Sequence, residues 1–146
     1  MTNISGATLP ADIDQINGQH NGENYVAYTF YCRNAGSATV DISYRLYLAN
    51  MTQGIEKAIR VRLYVDGTPV TYARTASDGS GPEPDTVEFL SATTVTEETV
   101  QNFAPEDTIR FTVVIWIEGD DPDCLDSVIG GEIKVDMAIS IATVGE

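Results

Sequence analysis

Residues 109–117 read IRFTVVIWI, a stretch in which large aliphatic side chains recur at every second position. Ile109, Phe111 and Val113 fall on one face of an extended chain, and Arg110 falls on the other. Because side chains alternate between the two faces of a β-strand, a period of two is typical of a strand with one buried face. The stretch therefore predicts a strand of the protein core.

The same period of two recurs along most of the chain. Asp66-Gly67 is a favoured hairpin turn pair, so residues 69–74 are expected to pair with the strand before it. Helices do not alternate regularly with these strands along the chain. The pattern therefore predicts an all-β fold, namely an antiparallel β-sandwich of jelly-roll or immunoglobulin-like type. The further runs are residues 25–33, 40–48, 59–65 and 133–141, with weaker alternation at 86–91 and 94–103.

Two connections predict short helices. Asp121 and Pro122 have the character of an N-cap and a first-turn residue, and Gly130 that of the residue that ends a helix. A second helical turn is expected within residues 52–58. Helix is thus confined to connections between strands.

The length of 146 residues suits one domain, and no repeat or linker divides it. We expect a single β-sandwich over residues 23–146, preceded by an N-terminal arm or lead-in over residues 1–22. That arm is polar but carries scattered apolar residues such as Ile4, Leu9 and Ile13. It is either a strand donated to the sheet edge of a neighbouring molecule or an ordered or frayed lead-in of its own subunit.

The charge excludes several classes of partner. With 8 Lys and Arg against 22 Asp and Glu, the net charge is −14. Nucleic-acid binding needs a basic surface, and docking on anionic lipid does too, so neither is expected. No apolar run is long enough to span a membrane. Residues 1–22 lack the basic and apolar regions of a secretory signal, which fits either a cytosolic protein or an exported one whose leader has been removed.

Acidic residues cluster at one place in the chain. Hard cations such as calcium are bound by several oxygen ligands, so the cluster together with the loop at residues 76–85 suggests a calcium-dependent binding or adhesion module. Its spacing is not that of the helix-loop-helix calcium motif, and acidic residues at a helix N-terminus are favoured by the helix dipole alone. The candidate metal ligands are Glu118, Asp120, Asp121, Asp123 and Asp126.

Cysteine and histidine are scarce. Cys32 and Cys124 could form one disulfide or remain two thiols, and Cys32 alternates with core residues. His20 is the one histidine of the chain. A catalytic triad needs a base beside a nucleophile, and a catalytic zinc usually needs more nitrogen or thiolate ligands, so a hydrolase, including a metal-dependent one, is disfavoured.

Aromatic residues on the faces opposite the aliphatic stripe form a candidate interface. They are mixed with arginines, and Tyr, Trp and Arg are enriched where proteins bind each other. The alternative is that they make cross-strand and cation–π pairs on a solvated sheet. The residues are Tyr25, Tyr31, Tyr47, Tyr64 and Trp116.

Four blocks of the sequence carry a resemblance to a known family. Residues 25–36 read YVAYTFYCRNAG and resemble the first strand and turn of the TasA/camelysin-like exported proteins of Gram-positive bacteria. The later blocks are similar to uncharacterised relatives of that group and occur in the same order. They read EKAIRVRLYVDG at 56–67, TVVIWIEGDDPDC at 112–124 and GGEIK at 130–134.

The resemblance implies a jelly-roll-like sandwich, export through a cleaved signal and a role in cell-surface or biofilm-matrix fibres. In that group, fibres grow when an N-terminal strand of one subunit completes the sheet of the next, so self-association or binding to other matrix or surface proteins is expected. The camelysin branch is associated with metal-dependent proteolysis, for which we identify no residues here. The sequence thus predicts a secreted or cell-surface structural protein that is not an enzyme and needs no cofactor, with calcium binding as the alternative.

Overall fold

A computed structural model of the chain describes residues 4–51, 58–74, 85–119 and 133–143. In these ranges, two short 3₁₀ turns, Gly6–Thr8 and Ile13–Gln15, come before the first strand. The strands are β1 Gly18–Gln19, β2 Val26–Arg33, β3 Val40–Met51, β4 Ile59–Val65, β5 Thr68–Ala73, β6 Val87–Glu88, β7 Thr94–Phe103, β8 Thr108–Ile117 and β9 Ile133–Thr143.

The strands form two sheets that pack face to face. The large sheet has the order β1-β2-β8-β4-β5-β6, and the small sheet has the order β7-β3-β9. Neighbouring strands are antiparallel, apart from the short parallel pair of β5 with β6. The predicted all-β antiparallel sandwich is confirmed.

Residues 109–117 lie in β8, the strand between β2 and β4 in the large sheet. Its residue Phe111 is fully buried between the sheets and contacts Tyr44 of β3 edge to face, with ring centroids 5.1 Å apart. On its other face, Thr112 and Val114 are also fully buried. The alternation predicts one buried face for this strand, whereas the fold buries both.

The predicted hairpin of β4 and β5 is present. Val65 pairs with Thr68 across a turn at Asp66 and Gly67, whose φ angles are 49° and 87°. Two successive residues with positive φ make a turn whose twist matches that of the strands it joins, and glycine takes this conformation without strain. The turn residues therefore set the register of this hairpin.

Residues 4–22, which we call the N-terminal segment, pack on the outer face of the large sheet and end in β1 at its edge. Ile4 bridges Glu118 in parallel, and its backbone N–H donates to the carbonyl of Ile117 at 2.9 Å. Ile13 is fully buried. β1 then pairs with β2. In the structure of the single chain, the segment folds on its own sheet.

The two lateral sides of the sandwich differ. On the side of β5 and β7, residues 85–93 connect the sheets: the N–H of Phe89 donates to the carbonyl of Ala73, and that of Leu48 donates to Thr93. Phe89 is buried there. On the side of β2 and β9, residues 34–39 cross from β2 to β3 near Ile141. Along the rest of that side the described residues provide no connection, and we call it the open side.

Some predictions fall on residues that the structure does not describe. The helix expected at residues 121–130 lies outside the described ranges, and so does most of the turn expected at 52–58. Across the described ranges, no helix is long and apolar enough to cross a membrane.

Candidate functional site

A second hydrophobic core lies between the N-terminal segment and the large sheet. Its buried members come from the segment and from the outer faces of β2 and β8, and partly buried residues pack around them. Three of the five aromatic residues proposed as an interface belong to it. The cluster contains Ile13, Ala27, Val114 and Trp116, surrounded by Ile4, Leu9, Tyr25 and Tyr64.

Trp116 is the centre of this second core. It lies on the face opposite the aliphatic stripe, as the sequence predicts, but it is 1% exposed because the N-terminal segment covers it. Its indole Nε1–H donates to Glu118 Oε1 at 3.3 Å, and the N–H of Gly6 donates to the same oxygen at 3.0 Å. The Arg62 guanidinium lies 4.9 Å from the ring centroid. Trp116 therefore contacts the chain's own segment and is not part of an exposed surface.

The other two aromatic residues of the predicted interface lie apart from that core. The Tyr31 hydroxyl donates to Asn17 Oδ1 at 2.7 Å, and the ring is 52% exposed. Tyr47 lies on β3 of the small sheet, half-buried, with the Arg45 guanidinium 4.8 Å from its ring centroid. The five residues thus do not form one surface, and four of them contact or adjoin the N-terminal segment.

Polar contacts also attach the segment to the sheet. Asp14, which is buried, forms an ion pair with Arg110 at 3.3 Å between Oδ2 and Nη2. The backbone carbonyl of Asp14 accepts from Thr112 Oγ1 at 3.4 Å. Thr112 Oγ1 in turn lies 2.7 Å from Thr29 Oγ1 in a buried hydroxyl pair. Because buried polar groups that lose a partner are costly, these contacts favour the docked position of the segment.

His20 is held by backbone carbonyls. Its Nδ1 lies 2.8 Å from the carbonyl oxygen of Gly18, and its Nε2 lies 2.7 Å from that of Ile13. A neutral imidazole carries one N–H, so it donates to one of these oxygens at a time. Both ring nitrogens are occupied by the backbone of the N-terminal segment.

Only one of the five predicted metal ligands lies within the described residues. Glu118 is half-buried and accepts the two hydrogen bonds described above through Oε1. Asp120, Asp121, Asp123 and Asp126 lie outside the described residues. Across the described ranges, no group of three or more His, Cys, Asp or Glu side chains is arranged to hold a metal ion.

Only one of the two cysteines of the possible disulfide lies within the described residues. Cys32 is half-buried in β2, whereas Cys124 lies outside the described residues. The pairing of the two cysteines therefore stays a prediction.

The open side of the sandwich holds a largely apolar groove of about 410 Å³ between β2 and β9. At this side the inner-face residues are unusually exposed: Tyr28 by 48%, Ile139 by 39% and Ile141 by 72%. Exposed apolar patches on a folded protein mark sites of interaction. The groove is lined by Val26, Tyr28, Phe30, Leu46, Val113, Ile115, Val135, Asp136 and Met137.

Sequence reasoning did not identify this groove. Val26, Tyr28, Ile139 and Ile141 alternate like core residues, and each lies on the inner face of its sheet. They are exposed because β2 and β9 lie near the edges of their sheets, where the opposite sheet does not cover them. The sequences of β2 and β9 carry no local pattern that marks them as lying near an edge, so the groove had no signal of its own.

No family model matches the chain, and no curated protein matches it significantly.

Proposed function

We propose that this protein is an exported, non-enzymatic structural protein, a subunit or accessory component of cell-surface or biofilm-matrix fibres. The observation that supports it most is the open apolar side between β2 and β9. A strand with an unpaired edge next to exposed apolar residues is suited to joining another chain. The resemblance of residues 25–36 to the TasA/camelysin-like group points to the same role.

Two further features agree with a structural role. His20 has both ring nitrogens against backbone carbonyls, so it is poorly placed to act as a base toward a substrate. The acidic character of the chain, with its net charge of −14, keeps separate molecules soluble outside their points of contact. Assembly would then depend on a few surfaces where charge is low.

Assembly by donation of the N-terminal strand has a structural consequence. The N-terminal segment covers Trp116, which is the one tryptophan of the chain. A segment that leaves its own sheet to enter another molecule uncovers that indole, unless another segment replaces it. Tryptophan emission thus reports whether the indole stays covered.

The test is assembly of the full-length chain, followed by sedimentation, electron microscopy and tryptophan emission. We expect filaments that sediment. An unchanged emission maximum in the filaments would show that Trp116 stays covered, as it does in assembly through the open side and in exchange of segments between copies. A red-shifted maximum would support the same structural role through release of the segment. A chain that remains monomeric at millimolar concentration, and fails to attach to cell-surface fibres, would overturn the structural role.

A further inference from the structure

β9 is a long strand at the edge of the small sheet. It pairs with β3 over residues 133–143, with Met137 opposite Leu46 and Ile139 opposite Tyr44. On its other side, no strand among the described residues pairs with it. Among the described residues, the backbone N–H and C=O groups along that side thus have no partner strand, and proteins usually protect edges of this length.

The two edges of the small sheet differ in charge. β7 carries exposed Glu97 and Glu98 near its middle, and its register places Glu97 opposite Arg45 and Glu98 opposite Tyr44, so one carboxylate lies on each face. Charges on both faces are a common means of preventing edge pairing. In an acidic protein, they also repel the same edge of a second copy.

The edge of β9 has the opposite character. Lys134 and Asp136 compensate each other, with Nζ 3.7 Å from Oδ2, and residues 137–143 carry no charged side chain. Among its described large apolar residues, Ile141 is 72% exposed and Ile139 is 39% exposed. A basic or acidic partner would gain little from such an edge, whereas a second copy of residues 133–143 brings no net charge to it.

We propose that two copies of this chain pair through β9, antiparallel and about a two-fold axis at Ala138. The inference rests on the proposed role of the open side in self-association and names its partner, a second β9. Antiparallel pairing about Ala138 is the register that places all eleven residues of Ile133–Thr143 opposite one another. Dimers with two-fold symmetry use one surface twice, as this arrangement does.

The register agrees with the side chains it brings together. Ile139 lies opposite Met137 of the second copy, and Ile141 lies opposite Val135, so apolar residues of the inner faces meet. Lys134 and Asp136 lie opposite uncharged residues, Ala142 and Ser140 of the second copy. No like charges are opposed, which is required for a stable cross-strand pair.

The pairing also completes the sandwich at its open side. The two small sheets become one continuous sheet of six strands, and the axis places both large sheets on the same side of it. The open grooves then face each other, so the exposed rings of Tyr28 approach the second copy. Burial of this apolar surface provides the driving force.

The first test uses the oligomeric state of the full-length chain, measured by sedimentation velocity and light scattering. We expect a dimer for the natural sequence and its loss in Ile141→Lys, because the exposed position tolerates lysine in the monomer but not in the paired edge. Leu90→Lys is the matched control: Leu90 is 63% exposed but lies away from β9, and we expect it to remain dimeric. Equal melting temperatures of the two variants establish that both are folded.

The second test identifies the register. In Ala138→Cys the introduced thiols of two copies meet at the axis, so mild oxidation should give a covalent dimer that a reductant separates. Glu97→Cys on β7 should give no more cross-linking than the natural sequence with its own two cysteines. A monomeric natural chain, an Ile141→Lys variant that dimerises as well as the control, or equal cross-linking of both cysteine variants would overturn the proposal.

The outcomes separate this inference from the proposed function. Filaments without cross-linking at Ala138 would retain the structural role and reject pairing through β9. Cross-linked dimers that neither form filaments nor attach to cell-surface fibres would retain the pairing and reject the fibre role.

Discussion

Gly6 lies directly against the indole ring of Trp116. A Cβ added at Gly6 would stand 2.7 Å from Trp116 Cζ2, closer than side chains approach in folded proteins. The same glycine donates its N–H to Glu118, which also accepts from the indole. The N-terminal segment is thus fitted to Trp116 at a point where only a hydrogen has room.

This contact predicts a large effect from a small substitution. Gly6→Ala should lower the free energy of unfolding by about 1–3 kcal/mol, because the methyl group must displace either the ring or the segment. Urea denaturation measures the free energy of unfolding. A red shift of tryptophan emission would show that the segment is displaced and the indole is exposed. Gly36→Ala, in an exposed turn, is the control and should change stability by less than about 0.5 kcal/mol. Equal effects of the two variants would contradict the close fit.

The hydroxyl groups of Thr29 and Thr112 form a buried pair. Substitutions at these two positions should therefore have non-additive effects on the free energy of unfolding. The two Oγ1 atoms are 2.7 Å apart. Thr112→Val should cost about 1–3 kcal/mol, because it leaves the Thr29 hydroxyl buried without this partner. The double variant with Thr29→Val should cost less than the sum of the single ones, since no unpaired hydroxyl remains. Chemical denaturation of all three variants measures this, and strict additivity would show that the pair contributes nothing.

Because of Tyr44, the protein should lose stability at high pH. Burial, followed by the nearby Glu98 carboxylate and Tyr72, raises the pKa of the Tyr44 phenol to about 12. Because the unfolded chain releases that proton near pH 10, the contribution of Tyr44 is complete below pH 10 and is lost as the pH rises toward 12.

The expected decline is about 1.4 kcal/mol of unfolding free energy per pH unit at most. Denaturation between pH 9 and about 11.5 measures it. Tyr44→Phe should reduce this slope, whereas Tyr31→Phe, which changes an exposed ring, should keep it. If Tyr44→Phe retains the full slope, another group is responsible.

The calcium hypothesis also makes a measurable prediction. If residues 118–126 bind calcium, a hundredfold excess over the dissociation constant should raise the free energy of unfolding by about 2.7 kcal/mol. Tryptophan emission should respond, because Glu118 accepts from the Trp116 indole. Asp121→Asn with Asp123→Asn should abolish both effects, and Glu97→Gln on β7 should preserve them. An unchanged melting temperature at millimolar calcium would remove the alternative.

The strands themselves could be predicted from the sequence. β4 and β7 begin and end at the predicted residues, and the Asp66-Gly67 turn joins β4 to β5 as expected. Local steric preferences and side-chain alternation are properties of a few consecutive residues, so they are visible in a single sequence. β1, a pairing of only two residues with β2, had no such pattern and was not predicted.

The burial of each strand face could not be predicted in the same way. The alternation of β8 places Trp116 on the outward face and that of β9 places Ile141 on the inward face, and both placements are right. Yet Trp116 is buried and Ile141 is 72% exposed. Alternation determines the face of a side chain, but exposure depends on whether another element covers that face.

The strands, their alternating faces and hence the class of fold follow from the sequence, because they depend on local geometry. Two features follow from the tertiary structure instead: the N-terminal segment covers Trp116, through contacts such as that with Gly6, and β9 lies at an edge among the described strands. Both depend on residues far apart in the chain that meet when the two sheets pack. The surface most suited to self-association is therefore a consequence of sheet order, which no short stretch of the sequence encodes.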